Sequence, residues 1–227
     1  METEFLYWRH ITPVGIKVEE ISGADDKSPR LWLEMARQLY SENGKDDYRQ
    51  ILHFDSGAPY LQGEMTRISI SHTDRFLVVA SLPKTPEVTL SEFSPRAAMG
   101  VDAERLSRSQ VLKIRSKFLS ESELNEIPAD DVALNIVAWT AKEALYKAAL
   151  TPGLDFCRDI KILKLPHLHH DVAITEEGDG LGEALICFPS GDKVPMKLYS
   201  YCSENVCITL AFSPKCAKFH QTSPNNR

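Results

Sequence analysis

The chain has no apolar run near the roughly 20 residues that a membrane-crossing helix needs, so no membrane-spanning role is expected. Its first residues, METEFLYWRH, lack the basic start and long apolar stretch of a secretory leader. It has no CxxC pair, and its five cysteines (Cys157, Cys187, Cys202, Cys207 and Cys216) are odd in number. That pattern disfavours a disulfide framework and points to reduced thiols in the cytoplasm. A basic excess is missing too: Lys and Arg number 26 against 32 Asp and Glu, for a net charge of −6, which argues against nucleic-acid binding. The histidine-rich HLHH at 167–170 has no cysteine at structural-zinc spacing, so a polar loop is a simpler account of it than a zinc site. What remains is the composition of an ordinary globular protein, long enough for one large domain or two small packed lobes.

Strand and helix signals are mixed along the chain. VGIKVEEI, ILHFD, YLQ, RISIS, FLVVASL and AMGVDAE read as strands. SPRLWLEMARQLY reads as a helix with Ser28 as N-cap and Pro29 at its first position. SRSQVLKIRSKFL reads as helical, and Ser120 with Glu123 forms a capping box for a further short helix. Residues 131–150 form a long helix. DIKILKL, DVAITEE, EALICFP and MKLYSYCSENVCITLAF are strand and hairpin, and the polar segment from Ser213 reads as a flexible tail, 213–227. RISISHTDRFLVVAS (67–81) echoes KLYSYCSENVCITLA (197–211) as strand, polar turn and apolar strand. The expected fold class is therefore α+β, with two similar lobes, each a helix packed on a small antiparallel sheet, as in a pseudo-dimer. The expected division is 1–98 for the first lobe and 99–212 for the second.

Two clusters carry chemistry. On a helical wheel, Leu134, Val137, Ala138, Ala141, Ala144, Leu145 and Ala148 fall on one side, and Trp139, Lys142, Glu143, Tyr146 and Lys147 on the other. An amphipathic surface helix with a Glu143–Lys147 pair explains the charges but not the indole; a cleft for an anionic ligand explains both. In MGVDAERL, Asp102 and Glu104 are two apart on a strand, so both carboxylates share one face, and Met99, Val101 and Ala103 point to a core on the other. Adjacent carboxylates repel unless a cation or proton lies between them, and oxygen-only ligands suit Mg²⁺. Two solvated acids at a strand end would give the same short motif.

Gly100-Val101-Asp102-Ala103-Glu104, followed about forty residues on by Trp139-x-x-Lys142-Glu143-x-x-x-Lys147, resembles the signature of the 4′-phosphopantetheinyl transferases. The likeness is greatest to their two-lobed, surfactin-type class. ISISHT (68–73) and SGAPYL (56–61) resemble that class's Ser-His strand end and Gly-Lys-Pro loop. The resemblance implies transfer of 4′-phosphopantetheine from coenzyme A to a carrier-protein serine, with Mg²⁺ (or Mn²⁺) as cofactor and 3′,5′-ADP released. Asp102, Glu104 and Glu143 match the magnesium ligands, and Glu143 also the group that helps deprotonate the nucleophile. Lys142 and Lys147 match lysines that face the coenzyme A phosphates, with Lys147 nearest the pyrophosphate. Ser71 and His72 match phosphate contacts, and Gly57, Ala58 and Pro59 the loop whose backbone meets the adenine.

The chain departs from the pattern at Ala58, where the loop commonly has lysine. Arg30 and Arg37, seven apart on one helix face, are the candidates for the 3′-phosphate. The implied partner is a small acidic carrier protein, and the implied state a monomer. The run Arg105, Arg108, Lys113, Arg115, Lys117 is uninterrupted by acids. It reads as a docking strip for such a carrier or as a solvated helix face; in an α-helix Lys113 and Lys117 would face one partner. A non-catalytic coenzyme A- or carrier-binding protein, and another Mg²⁺-dependent phosphoryl transferase, are the alternative functions.

Overall fold

The computed structural model describes residues 4–6, 15–20, 51–53, 57, 59–61, 66–73, 76–81, 99–169, 180–203 and 205–214. The expected helix with Arg30 and Arg37, the loop residue Ala58, the DVAITEE strand and the tail beyond residue 214 lie outside the described residues.

The protein is α+β. Its first sheet contains β1 (Glu4–Leu6), β2 (Gly15–Glu20), β3 (Ile51–His53), β4 (Pro59–Leu61), β5 (Thr66–His72) and β6 (Phe76–Ser81), in the order β1-β2-β6-β5-β4-β3. The second contains β7 (Met99–Arg105), β8 (Ile160–Lys164), β10 (Gly182–Cys187), β11 (Lys193–Ser203) and β12 (Val206–Phe212), in the order β7-β12-β11-β10-β8. A two-residue strand, β9 (Leu168–His169), lies parallel to β11. Part of the HLHH segment, expected to be loop, is therefore strand. Between β7 and β8 come a 3-10 helix (Ser109–Lys117), α1 (Glu121–Glu126) and α2 (Val132–Ala149).

The echo between 67–81 and 197–211 has a structural counterpart. In β5–β6, His72 pairs with Leu77 and Ile68 with Ser81; 130 residues on, Cys202 pairs with Cys207 and Leu198 with Ala211. The neighbouring strands follow suit. Val79 lies opposite Lys17, and its counterpart Thr209 lies opposite Asp102. Both sheets also run first strand, last, fourth, third, second in order of the chain once β1 and β9 are set aside.

Alternation along β7 divides its residues between two cores. Met99, Val101 and Ala103 join Phe76, Val78 and Ala80 of β6 and Tyr199, Ile208 and Phe212 of the second sheet in one apolar cluster, so the two sheets share a core. Each fully buried Val, Leu or Phe there contributes roughly 1.5–3 kcal/mol. The other face carries Gly100, Asp102 and Glu104 and lies under α2. A Cβ at Gly100 would overlap the Ala144 carbonyl oxygen and stand 2.6 Å from the Ala148 nitrogen, so this glycine is what lets the helix rest directly on β7.

Gly100→Ala should cost about 3 kcal/mol or more, at the upper end for overpacking, because the obstacle is backbone that cannot rotate away. Gly153 (φ +81) faces open space, so Gly153→Ala should cost only the ~1–2 kcal/mol of a left-handed backbone. Denaturant unfolding of the two variants checks the order.

Candidate functional site

The long helix is set by its ends. Asp131 caps it by accepting from the Leu134 N–H at 2.9 Å, and Leu150 closes it in the left-handed region (φ 50), two residues before Pro152. Its middle is buried on two flanks, and here the wheel reading needs correction. Lys142, expected on the ligand side, is fully buried. Its Nζ donates to both Glu123 carboxylate oxygens at 2.8 Å, to the Phe156 carbonyl at 2.8 Å, and to the Ile160 carbonyl. Burial pulls the Lys142 pKa down, and the Glu123 charge pulls the other way. Lys142 therefore does not face a phosphate; the helix is covered there by α1 and β8, which a wheel of one helix cannot show. Trp139 is likewise a packing residue, edge-on to Phe118 (centroids 5.1 Å apart) and Phe156 (6.1 Å) rather than lining a cleft.

Lys147 does face the acids. Its Nζ lies 2.7 Å from Asp102 Oδ1 and 3.2 Å from the Val101 carbonyl oxygen. Ser71, on β5, donates to the same Asp102 oxygen at 2.8 Å. Burial pushes the Asp102 carboxyl above its ordinary value, against the pull of Lys147 and Ser71. Glu143 is half-buried and is also raised, first by burial and then by the negative charge of Asp102, with Lys147 opposing. Asp102, Glu143 and Lys147 thus form one electrostatic group where α2 crosses β7. Glu104 is drawn instead into an ion pair with Arg108. Ser71, expected at a phosphate, is buried with its hydroxyl engaged, whereas His72 is exposed at the end of β5.

A cavity of about 280 Å³ adjoins this group. Gly57, Pro59 and Ile70 line it from the first sheet, and Tyr146, Lys147 and Thr151 from the end of α2. Two sequence-predicted pieces, the Gly57–Pro59 loop and Lys147, therefore border one space, and Lys147 also touches Asp102 from it. The donor set suits a hard divalent cation in chemistry, being oxygen-only with two carboxylates, of which Asp102 raises the proton affinity of Glu143. Its arrangement is less complete: among the described residues no group of three His, Cys, Asp or Glu side chains is gathered for a metal ion.

The basic run takes a different form from the α-helix expected. Its hydrogen bonds reach back three residues, as from the Val111 N–H to the Arg108 carbonyl. At about 120° per residue, Lys113 and Lys117 point about 120° apart rather than to one partner. Arg108 is spent on Glu104, and Arg115 on the Asn135 side-chain oxygen (2.7 Å) and the Ile127 carbonyl. Lys113 and Lys117 remain exposed.

Residues 98–194 match the model of the 4′-phosphopantetheinyl transferase superfamily. The match takes in Asp102, Glu104, Glu143 and Lys147 and leaves the whole of the first sheet outside it. No curated protein sequence matches the chain. Among the described residues no helix is long and apolar enough to cross a membrane.

Sequence reasoning missed Glu123 as a charge partner. It was legible only as the far end of a capping box, which it is: Ser120 and Glu123 cap each other's backbone N–H groups. The same carboxylate also holds Lys142 and accepts the Ile162 N–H at 2.7 Å. Lys142→Met should leave that carboxylate buried without its cation and cost about 3–5 kcal/mol. Lys147→Met also takes a cation from a buried carboxylate, but Lys147 itself is 30% exposed and Ser71 still donates to Asp102, so the cost should be smaller, about 1–3 kcal/mol. Equilibrium unfolding of the two variants checks this.

Proposed function

We propose that this protein transfers 4′-phosphopantetheine from coenzyme A to a serine hydroxyl of an acidic carrier protein, as a two-lobed transferase of the surfactin type, acting as a cytoplasmic monomer. The observation that carries the reading is the Asp102–Lys147–Glu143 group beside the cavity, within the segment that matches the transferase superfamily. The shared strand order and register of the two sheets support the lobe division near residue 98.

In this reading the carrier serine oxygen attacks the β-phosphorus of coenzyme A. The new P–O bond forms as the bond to the 3′,5′-ADP oxygen breaks, and the serine proton passes to Glu143. A carboxylate raised by burial and by a neighbouring charge is better matched to that proton at neutral pH than a solvated one. Lys147, between cavity and acids, offsets charge on the pyrophosphate oxygens. Asp102 and Glu143 would hold Mg²⁺ or Mn²⁺, with Glu104 completing the set once Arg108 releases it; the ion would neutralise the pyrophosphate when bound. The Gly57–Pro59 loop and His72 take the adenine and phosphate end, and Arg30 and Arg37 the 3′-phosphate. Lys113 and Lys117 are the part of the basic run still open to a carrier.

A second reading, a non-catalytic coenzyme A- or carrier-binding protein, is favoured by one observation: both strand carboxylates are already neutralised by internal cations. Mass spectrometry separates the two. Apo-carrier incubated with protein, coenzyme A and Mg²⁺ should gain one phosphopantetheine on serine, and chelator should abolish the gain. Glu143→Gln should slow it by about 10²-fold or more. Coenzyme A binding with no gain on any carrier tested would leave the binding protein as the answer.

A further inference from the structure

We propose that Ser71 is a positioning residue that fixes Asp102 from the opposite sheet, rather than a contact for coenzyme A; the proposal rests on the transferase reading above. β7 is an edge strand of its sheet, paired on one side with β12. On its other side the backbone N–H groups of Val101 and Ala103 need acceptors, and among the described residues no strand pairs with β7 there. β5 of the first sheet does so with side chains. Ser69 Oγ accepts from the Val101 N–H at 3.0 Å, and Ser71 Oγ from the Ala103 N–H at 3.1 Å. The spacing of two puts both hydroxyls on one face of β5, and both serines are buried.

The two serines then differ in one respect. Ser71 Oγ, having taken the Ala103 N–H on its oxygen, directs its own hydrogen to Asp102 Oδ1 at 2.8 Å. Lys147 reaches the same oxygen from α2. Asp102 Oδ1 is therefore held from two elements, one in each half of the chain. A carboxylate gripped from two elements keeps a single rotamer, which is what a group acting on a pyrophosphate requires. A hydroxyl already committed to two partners has little left to offer a ligand phosphate.

The test uses the full-length protein and the carrier assay. Ser71→Ala should lower kcat by about 10- to 100-fold, the range found when a supporting hydrogen bond to a site carboxylate is lost. The Michaelis constant for coenzyme A should stay within about twofold, and Ser71→Thr should restore most of the rate. A rise in that Michaelis constant with kcat unchanged would make Ser71 a ligand contact and overturn the proposal. Unfolding equilibria give a readout without activity. Ser71→Ala and Asp102→Asn should be non-additive by about threefold or more in the unfolding constant, whereas Ser69→Ala and Asp102→Asn should be additive. Additivity in the Ser71 cycle also overturns the proposal. If the wild-type protein modifies no carrier, the transferase reading falls, and the unfolding cycles alone decide whether Ser71 holds Asp102.

Discussion

One buried ammonium group fixes the long helix that carries the site. Lys142 can rest inside the protein only with Glu123, the Phe156 carbonyl and the Ile160 carbonyl around it, since an unpaired interior charge costs several kcal/mol. Turning α2 by one residue, about 100°, would take the lysine from all of them at once. On the opposite flank the missing side chain of Gly100 sets how closely the helix meets β7. Rotation is thus fixed by charge and approach by sterics. Together they determine that Glu143 and Lys147, one and five residues further along, arrive over Asp102.

Glu123 makes this constraint reach further. Its carboxylate closes the capping box of α1, neutralises Lys142 on α2 and accepts an N–H from β8. Three elements that follow one another between β7 and β10 are therefore referenced to one side chain. The arrangement on β7 is similar in kind. Asp102 joins α2 through Lys147 and the first sheet through Ser71. Polar groups buried in this way are costly unless fully satisfied, and their mutual satisfaction disfavours alternative packings of the helix and the two sheets.

The fold was legible where a local pattern decides it. The β5–β6 and β11–β12 hairpins, the capping box, the long helix and the alternation of β7 all follow from periods and cap residues that the sequence displays directly. Asp102 and Lys147 each stood out, as a strand carboxylate and a helix lysine, but that they touch is not written in either local pattern. What escaped was every role set by a third element. Lys142 and Trp139 stand among polar neighbours on the wheel, yet α1, β8, Phe118 and Phe156 cover them. Arg115 reads as free charge until Asn135, twenty residues later, appears beside it. The 3-10 helix shares its residue types with an α-helix, and only its hydrogen bonds separate the two.

The correspondence of the two sheets bears on why the carboxylates around Asp102 belong to the second sheet. By register, Lys17 occupies on β2 the position that Asp102 occupies on β7, and Glu19 that of Glu104. A carboxylate replaced by an ammonium cannot share a cation with neighbouring acids; it repels one. The matched strands therefore differ in charge at the position that carries Asp102 in the second sheet, and the shared strand order brings no second pair of acids with it. What the first half offers instead is β5, whose serines meet the free edge of β7 and whose strand borders the cavity beside Lys147. Shared backbone geometry brings the two halves into register, and unlike side chains at equivalent positions give one the acids and the other their support.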